Sequence, residues 1–572
     1  MRDMASSSNR PWLTAYPAHV DGNGAIPERP MFEYVDDAAA RFPDRPCLDF
    51  LGKGFTYAQI GDLVNRAARG FQHLGVEKGV RVGLCLPNTP YYVICYYAIL
   101  KAGGTVVNFN PLDVESELAR QVADSQTAIM VTLDLRQLYR KVAALLDHSD
   151  LKRIVVCPMG AILPAMKSVL FSVLKRGEKA AVPRDLVHVP FALLVRNDGN
   201  PKPVSIDPAS DIAVLQYTGG TTGIPKGAML THANVSANMV QIRRWFPGLV
   251  EGQERFLAVL PFFHVFAMTV IMNLGMASGS ELILLPRFEL GKLLRAIERK
   301  RPTLFPAVPT IFNAINTSPE TTKYDLSSLR LCISGGMGLP DEVRRVFERL
   351  AGCTLVEGYG LSEAAPVVTC NPIGGDARDA SIGVPLPGTA VEIRSLEDRA
   401  TVMPAGEKGE ICVRGPQVMA GYWNRPEETA DILVDGLLRT GDVGIMSEDG
   451  YVFLIDRIKD VILCGGYNVY PRRIEDAIHG HFGVMEVTVI GIPDDYRGQS
   501  PKAFVRLRDG ASLTAADLRE FLADKLSPIE KPKHIEFRDE LPKTFVGKLS
   551  KKELVAEELA RAARDGVHDA AR

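Results

Sequence analysis

The chain has 572 residues, 46% of them hydrophobic, with 66 Lys and Arg against 68 Asp and Glu for a net charge of -2. That length excludes one ordinary core, and the balance of charge excludes nucleic acid as a default partner. The nine scattered cysteines form no C-x-x-C pair, which argues against a disulfide framework or a zinc site and for a reducing, cytoplasmic setting.

The first residues, "MRDMASSSNR", read as a flexible tail, here bounded at residue 28, with no apolar run of a secretory signal. "RVGLCLP" (Arg81 to Pro87) reads as a buried strand. "NTPYYVICYYAILKAGG" follows as a helix, capped by Asn88 or Thr89, with Pro90 in its first turn and Gly103 and Gly104 ending it. "TVVNFNP" is the next strand, "DVESELARQVADSQ" an amphipathic helix and "AIMVTLD" a strand. This alternation predicts a parallel sheet covered by helices, with ligands at the carboxyl ends of its strands. "AILPAMKSVLFSVLKRGEKAA" (Ala161 to Ala181) combines Val169, Leu170, Val173 and Leu174 with Lys167, Lys175, Arg176 and Lys179. It reads either as a segment resting on an anionic membrane surface or as a helix packed on its own domain.

"IAVLQYT" (Ile212 to Thr218) is an apolar strand, and "YTGGTTGIPKGAMLTH" continues from Tyr217 to His232. Gly219, Gly220 and Gly223 let backbone N–H groups face an anion. Thr218, Thr221 and Thr222 add hydroxyl donors, and Lys226 adds a charge. The run is not the P-loop pattern G-x-x-x-x-G-K-[ST]. Taken alone it is as well read as a flexible Gly/Thr hairpin. From Phe256 to Ser280 there is no charged residue, but Pro261, His264 and Asn273 interrupt the run. A buried strand followed by a buried helix fits better than a membrane span. "SLRLCISGG" (Ser328 to Gly336) is a strand feeding a glycine turn and the helix "PDEVRRVFERLAG".

"EGYGLSE" (Glu357 to Glu363) reads as a second glycine loop. Tyr359, between Gly358 and Gly360, can lie flat on a purine; Ser362 can donate to phosphate; Glu363 is a hard oxygen ligand suited to Mg²⁺. The stretch from 380 to 455 has short β runs with Gly and Pro and reads as a small β-domain. Within it "RTGD" (Arg439 to Asp442) puts an Asp on a tight turn, able to accept from both ribose hydroxyls or to make an ordinary Asx-turn. After "DRIKD" (Asp456 to Asp460), the strands "EVTVIGIP" and "KAFVRLR" and the helix "TAADLREFLADKL" suggest a small α+β domain. "LPKTFVGKLSKKEL" presents Lys543 and Lys548 on a loop before a helix, which alone is as well read as a solvated basic face.

In this order the motifs resemble those of the adenylate-forming superfamily, which includes acyl- and aryl-CoA synthetases, peptide-synthetase adenylation domains and firefly luciferase. The resemblance spans about residues 30 to 555 and rests on "YTGGTTGIPKG", "PFFHVF", "EGYGLSE", "RTGD", "DRIKDVILCGGYNVYP" and "PKTFVGK". "GYGLSEAAPVVTCNP", "GPQVMAGYWNRPEET" and "EFRDELPKTFVGK" look most like bacterial long-chain-fatty-acid–CoA ligases. Ser362 departs from the family's usual Thr but keeps the hydroxyl.

The resemblance implies an α/β fold: a large N-terminal domain (29–456) of parallel-sheet subdomains plus a small β-barrel-like subdomain, a hinge (457–460), and a small α+β C-terminal lid (461–572). It implies ATP, Mg²⁺ and CoA, with a fatty acid as the acyl substrate. Thr218, Gly219, Gly220, Thr221, Thr222, Gly223 and Lys226 would hold the β- and γ-phosphates. Gly335, Gly336, Gly358, Tyr359 and Gly360 would enclose adenine, and Ser362 would reach the phosphates. Glu363 and Thr222 would serve the metal, Asp442 and Arg457 the ribose. Lys548 would bridge to the α-phosphate and carboxylate. His264, Val265 and Phe266 belong to the acyl pocket, Lys459 to the hinge, and Gly465, Gly466 and Tyr467 to the CoA tunnel. Lys548, His264, Lys226 and Glu363 are the expected catalytic residues. Rivals are an aromatic-acid–CoA ligase, a fatty acyl-AMP ligase loading a separate carrier protein, and a nucleotide-binding protein without catalysis. Similar ligases are often homodimers, and contact with a membrane surface is compatible with a fatty substrate.

Overall fold

The computed structural model describes residues 10–147, 149–218, 225–375, 377–465, 467–494, 496–544 and 549–569, without side chains beyond 561. The chain divides into two compact units: Met1–Val391 with Val413–Leu438, and Glu392–Cys412 with Arg439–Arg572. This partition differs from the hinge-based division expected above, since residues 392–412 and 439–456 group with the C-terminal unit.

The first unit holds two large sheets. In the seven-stranded sheet, six strands run parallel in the order His188–Pro190, Arg153–Cys157, Ile129–Leu133, Arg81–Leu84, Thr105–Asn108, Ile212–Thr218. The seventh, Lys226–Thr231, returns antiparallel along Ile212–Thr218, with Thr218 opposite Lys226. The expected alternation is therefore present: helix Pro90–Lys101 follows Arg81–Leu84, and helix Glu115–Ser125 follows Thr105–Asn108. Helix Pro90–Lys101 is buried from Pro90 through Leu100, which explains why its sequence is apolar all round rather than striped.

The nine-stranded sheet has a parallel centre: Thr354–Gly360, Leu331–Gly335, Leu304–Ala307, Arg255–Ala258, Glu281–Leu284 and Pro46–Phe50. Antiparallel strands close both margins. The uncharged run after Phe256 folds as expected, into strand Arg255–Ala258 and then a helical stretch from Val265 to Ala277. Residues Val265 to Met276 are all buried, and Met268–Asn273 winds as a π-helical turn. No helix among the described residues is long and apolar enough to cross a membrane.

In the second unit, Val484–Asp494 and Gly498–Leu507 form a long antiparallel pair, flanked by Ile462–Cys464 and by His534–Phe537. Helices Pro471–His479 and Ala515–Phe521 contribute Ile474, Ile478 and Leu518 to its core. The predicted helix from Thr514 to Leu526 stops at Phe521. Leu522 and Leu526 bury in that core from separate turns, and Pro528 disfavours helical backbone just beyond them.

Helix His232–Trp245 starts directly after the return strand with a Thr231–Asn234 capping box. His232 is 1% exposed, and its Nδ1 accepts from the Met31 amide at 3.1 Å. That bond requires the neutral ring. Burial pushes its pKa down from 6.5 to about 4, partly opposed by nearby Asp211. Between these values the unfolded chain binds the proton and the folded chain does not, so stability falls as pH drops from 6.5 towards 4. The difference corresponds to about 3 kcal/mol. Replacing His232 with Asn should flatten this acid limb in urea-denaturation midpoints measured from pH 7 to pH 4. An unchanged limb would show that the proton is taken up elsewhere.

Candidate functional site

The strongest convergence lies around the strand that returns after the glycine/threonine loop. Residues 219–224, and with them Gly219, Gly220, Thr221, Thr222 and Gly223, lie outside the described residues, as do Gly466 and Lys548. The stem of the loop is described. Tyr217 packs beside Gly227, where an added Cβ would lie 3.3 Å from the ring. Its hydroxyl donates to Asp124 Oδ2 at 2.6 Å. Burial, followed by the bond to Asp124, pushes the Tyr217 pKa well up, so it remains a donor.

A segment distant in sequence completes the stem. Ala420 to Trp423 runs antiparallel beside Lys226–Thr231, with Met229 N to Gly421 O and Ala420 N to Met229 O each at 2.9 Å, and Trp423 N to Gly227 O at 2.8 Å. The Tyr422 hydroxyl donates to Glu363 Oε1 at 2.7 Å. The Lys226 ammonium sits 5.3 Å from the centre of the Tyr422 ring. Met419 N donates to the Glu363 carbonyl at 2.8 Å. Lys226 and Glu363, two of the expected catalytic residues, are thus brought to one aromatic side chain. Among the described residues neither makes an ion pair.

The expected adenine-binding turns lie at strand ends, as parallel-sheet logic requires. Gly335 is opposite Gly358 in the ladder between Leu331–Gly335 and Thr354–Gly360. Gly336 has φ +83°, a conformation that suits glycine. "EGYG" is not the loop the sequence suggests. It completes a strand paired with Val367–Cys370, and the chain turns only at Ser362–Ala364. Its second glycine serves close packing: a Cβ on Gly360 would fall 2.0 Å from the Pro366 carbonyl oxygen. Tyr359 is 9% exposed.

The His264 segment is held from below by buried amides. Asn88 donates to the Ala258 and Leu260 carbonyls and accepts from Phe262 N at 2.8 Å. Asn108 Nδ2 donates to Gln216 Oε1 at 2.9 Å, and Gln216 Nε2 donates to the Phe263 carbonyl at 3.0 Å. The Tyr92 hydroxyl lies 2.6 Å from Asn108 Oδ1 and 3.0 Å from the Phe262 carbonyl. His264 is partly exposed and caps the following helix, its Nδ1 accepting from Phe266 N at 3.3 Å. Val265 is buried, and the Phe266 ring lies against Gly335, 3.1 Å from where a Cβ would stand. Phe266, one of the residues expected in the acyl pocket, is therefore in contact with the glycine turn.

The second unit carries the remaining expected residues. Asp442 is not on a free turn but within strand Leu437–Met446, opposite Arg457 of strand Val452–Arg457. Its Oδ1 pairs with Arg457 Nε at 3.2 Å. The local kink comes from Gly441 at φ +72° and from Asp442 N donating to Thr440 Oγ1. Lys459 sits in the short turn Ile458–Asp460, its pKa lowered by burial and then by Arg457. Gly465, φ +59°, follows strand Ile462–Cys464, which forms a hairpin with Tyr467–Val469. Tyr467 is 63% exposed. Lys543, read as a solvated charge, instead pairs with the buried Glu486 carboxylate at the base of the Lys543–Leu549 bridge.

Residues 35–423 match the model of the AMP-binding enzyme family, and residues 473–548 match the AMP-binding enzyme C-terminal domain. The chain belongs to this family. It is 44% identical to the long-chain-fatty-acid–CoA ligase of Bacillus subtilis (strain 168), over 96% of this chain and 98% of that protein. It is 38% identical to that of Salmonella typhimurium, covering 95% and 97%. ATP-bound MatB from Rhodopseudomonas palustris superposes with a TM-score of 0.78 at 27% identity, covering 92% of this chain and 98% of that one.

The aromatic and basic side chains of Tyr422, Trp423 and Arg425 escaped the sequence reading. Their stretch, "GYWNR", carried resemblance but no role, because their partners Glu363, Gly227 and Asp124 are remote in sequence.

The Gln216 amide bridges Asn108 and the Phe263 carbonyl in the buried interior. Gln216→Ala should remove both bonds of this bridge, lowering stability by about 1–3 kcal/mol and reducing acid-dependent turnover. Urea midpoints and steady-state rates of the same preparation check this; an unchanged midpoint would contradict the network's structural role.

Proposed function

We propose that the protein is an ATP-dependent long- or medium-chain fatty acid–CoA ligase that works through an acyl-adenylate. The observation that carries this reading is the convergence of Lys226 and Glu363 on Tyr422, in a chain whose near-full-length relatives are long-chain-fatty-acid–CoA ligases. The chemical obstacle is repulsion between an anionic carboxylate and an anionic triphosphate. Catalysis must supply preorganised positive charge where pyrophosphate departs.

In the proposed first half-reaction a carboxylate oxygen attacks the α-phosphorus, and the bond to the pyrophosphate oxygen breaks. Lys226 and the loop it closes hold the departing phosphates, and Lys548 bridges the α-phosphate and the carboxylate. In the second, the thiol sulfur of CoA attacks the acyl carbonyl, its proton passes to solvent, and AMP departs with the electron pair of the carbonyl–oxygen bond. Glu363 suits Mg²⁺: one carboxylate oxygen is fixed by Tyr422, while among the described residues the other accepts no hydrogen bond. When bound, Mg²⁺ would offset charge on the phosphates. Asp442 and Arg457 would receive the ribose, His264 would border the carboxylate, and rotation at Lys459 would exchange Lys548 for the hairpin around Gly465 and Tyr467.

A specific observation supports contact with a lipid surface. Helix Ala165–Leu174 has no buried residue, and Met166, Val169, Val173 and Leu174 are 65–86% exposed. Lys167, Lys175, Arg176 and Lys179 lie on or beside it. Apolar side chains ringed by basic ones suit an anionic bilayer, where a fatty substrate partitions. A homodimer is the assembly proposed.

Pyrophosphate release measured across fatty acids from butanoate to octadecanoate, and across aromatic acids, with and without CoA, tests the main reading. Long-chain acids should give release with AMP and no ADP, and Lys548→Ala should abolish it while sparing thioester formation from supplied acyl-adenylate. Release with aromatic acids alone would overturn the fatty acid assignment. For the surface helix, the protein should float with phosphatidylglycerol vesicles, and changing Lys167, Lys175, Arg176 and Lys179 to Glu should abolish flotation. Unchanged flotation excludes this helix; unchanged flotation with loss of a dimer in sedimentation assigns the face to a second copy.

A further inference from the structure

The segment Met419–Arg425 has no assigned part in the reaction, yet it touches three site elements at once. Its backbone extends the return strand that begins at Lys226. Trp423 Nε1 donates to the Asp124 carbonyl at 3.1 Å, and Arg425 reaches Asp124 Oδ1 at 2.7 Å, while Tyr217 holds the other oxygen. Tyr422, 8% exposed, spans from this frame to the Glu363 carboxylate. Its own backbone amide is tied to Thr429 Oγ1 at 2.9 Å.

We infer that Tyr422 is a positioning residue: its hydroxyl fixes the rotamer of Glu363 by holding one carboxylate oxygen, which leaves the other for a metal, and its ring engages the Lys226 ammonium. Through its ring and its hydroxyl, Tyr422 engages each charge separately. The cation stays available to phosphate and the anion to the metal. The hydroxyl serves as donor because the carboxylate it faces can only accept. A ligand carboxylate hydrogen-bonded in this way presents a fixed oxygen, and removing such a partner typically weakens metal binding at least about tenfold.

This inference rests on the reading of Glu363 as a metal ligand, and the experiment separates the two. Mn²⁺ binding in the presence of a non-hydrolysable ATP analogue is measured by electron paramagnetic resonance, with thermal unfolding in parallel. Four proteins are compared: wild type, Tyr422→Phe, Glu363→Gln and the double variant. Tyr422→Phe keeps the ring over Lys226 and removes only the hydroxyl. It should weaken Mn²⁺ binding about tenfold, leave the unfolding temperature unchanged, and add less than about twofold in the Glu363→Gln background. If Glu363→Gln weakens binding while Tyr422→Phe does not, the positioning role is overturned and the metal reading stands. If both weaken it additively, Tyr422 acts elsewhere and the inference fails. If Glu363→Gln changes nothing, the metal reading itself falls, and this inference with it.

Discussion

An edge strand must have its backbone satisfied, and much of the site follows from how this chain meets that need. Lys226–Thr231 closes the seven-stranded sheet, and one side of it is paired with Ile212–Thr218. Its other side would expose unpaired N–H and C=O groups, a costly arrangement near the protein interior. The chain covers it with Ala420–Trp423, nearly two hundred positions later. Because strand side chains alternate, that pairing determines which residues flank the loop stem. Tyr422, opposite Ala228, reaches Glu363, while Trp423 and Arg425 reach Asp124. Backbone saturation and site assembly are thus one event.

Sequence legibility divides along the same line. Local periodicity suffices wherever an element's partners are neighbours in sequence. Strand Ile212–Thr218 is read to the residue, and the βαβ order from Arg81 to Leu133 follows from alternating β-rich runs and capped helices. Motif order marks Lys226, Glu363, Asp442 and Arg457 as expected site residues; the structure brings Lys226 and Glu363 to Tyr422 and sets Asp442 opposite Arg457. Local signals mislead where glycine serves packing rather than turning. Gly358 and Gly360 look like a loop, but both lie in a strand paired with Val367–Cys370, and at Gly360 the Pro366 carbonyl lies too near for a side chain. Asp442 looks like a turn residue, but its pairing with Arg457 keeps it in a strand. The Asn108–Gln216–Phe263 bridge is invisible in sequence, since an isolated amide carries no periodic signature. The loop tip at 219–224 and Lys548 lie outside the described residues, so their part in the site remains the proposal drawn from motif order.

Charge is treated in two different ways around the stem. Asp124 is spent locally: it accepts from Tyr217 and Arg425, and its negative charge is matched by the guanidinium. That pair stiffens the frame and leaves little field to attract a ligand. Lys226 and Glu363 are left unmatched among the described residues, although both contact Tyr422. Their opposite signs would cancel if they met, and the low dielectric of a half-buried site would favour the meeting. An aromatic side chain can engage both. Its face attracts the ammonium through the ring quadrupole and its hydroxyl satisfies the carboxylate, so each charge is held without being neutralised. Such an arrangement is complementary to a ligand that itself carries both signs at short range, as a metal–polyphosphate does. A lone anion would gain from Lys226 but be repelled by Glu363, and a lone cation would meet the reverse. On the proposed function, this arrangement suits the metal–nucleotide pair better than either partner alone, by electrostatics set before any ligand arrives.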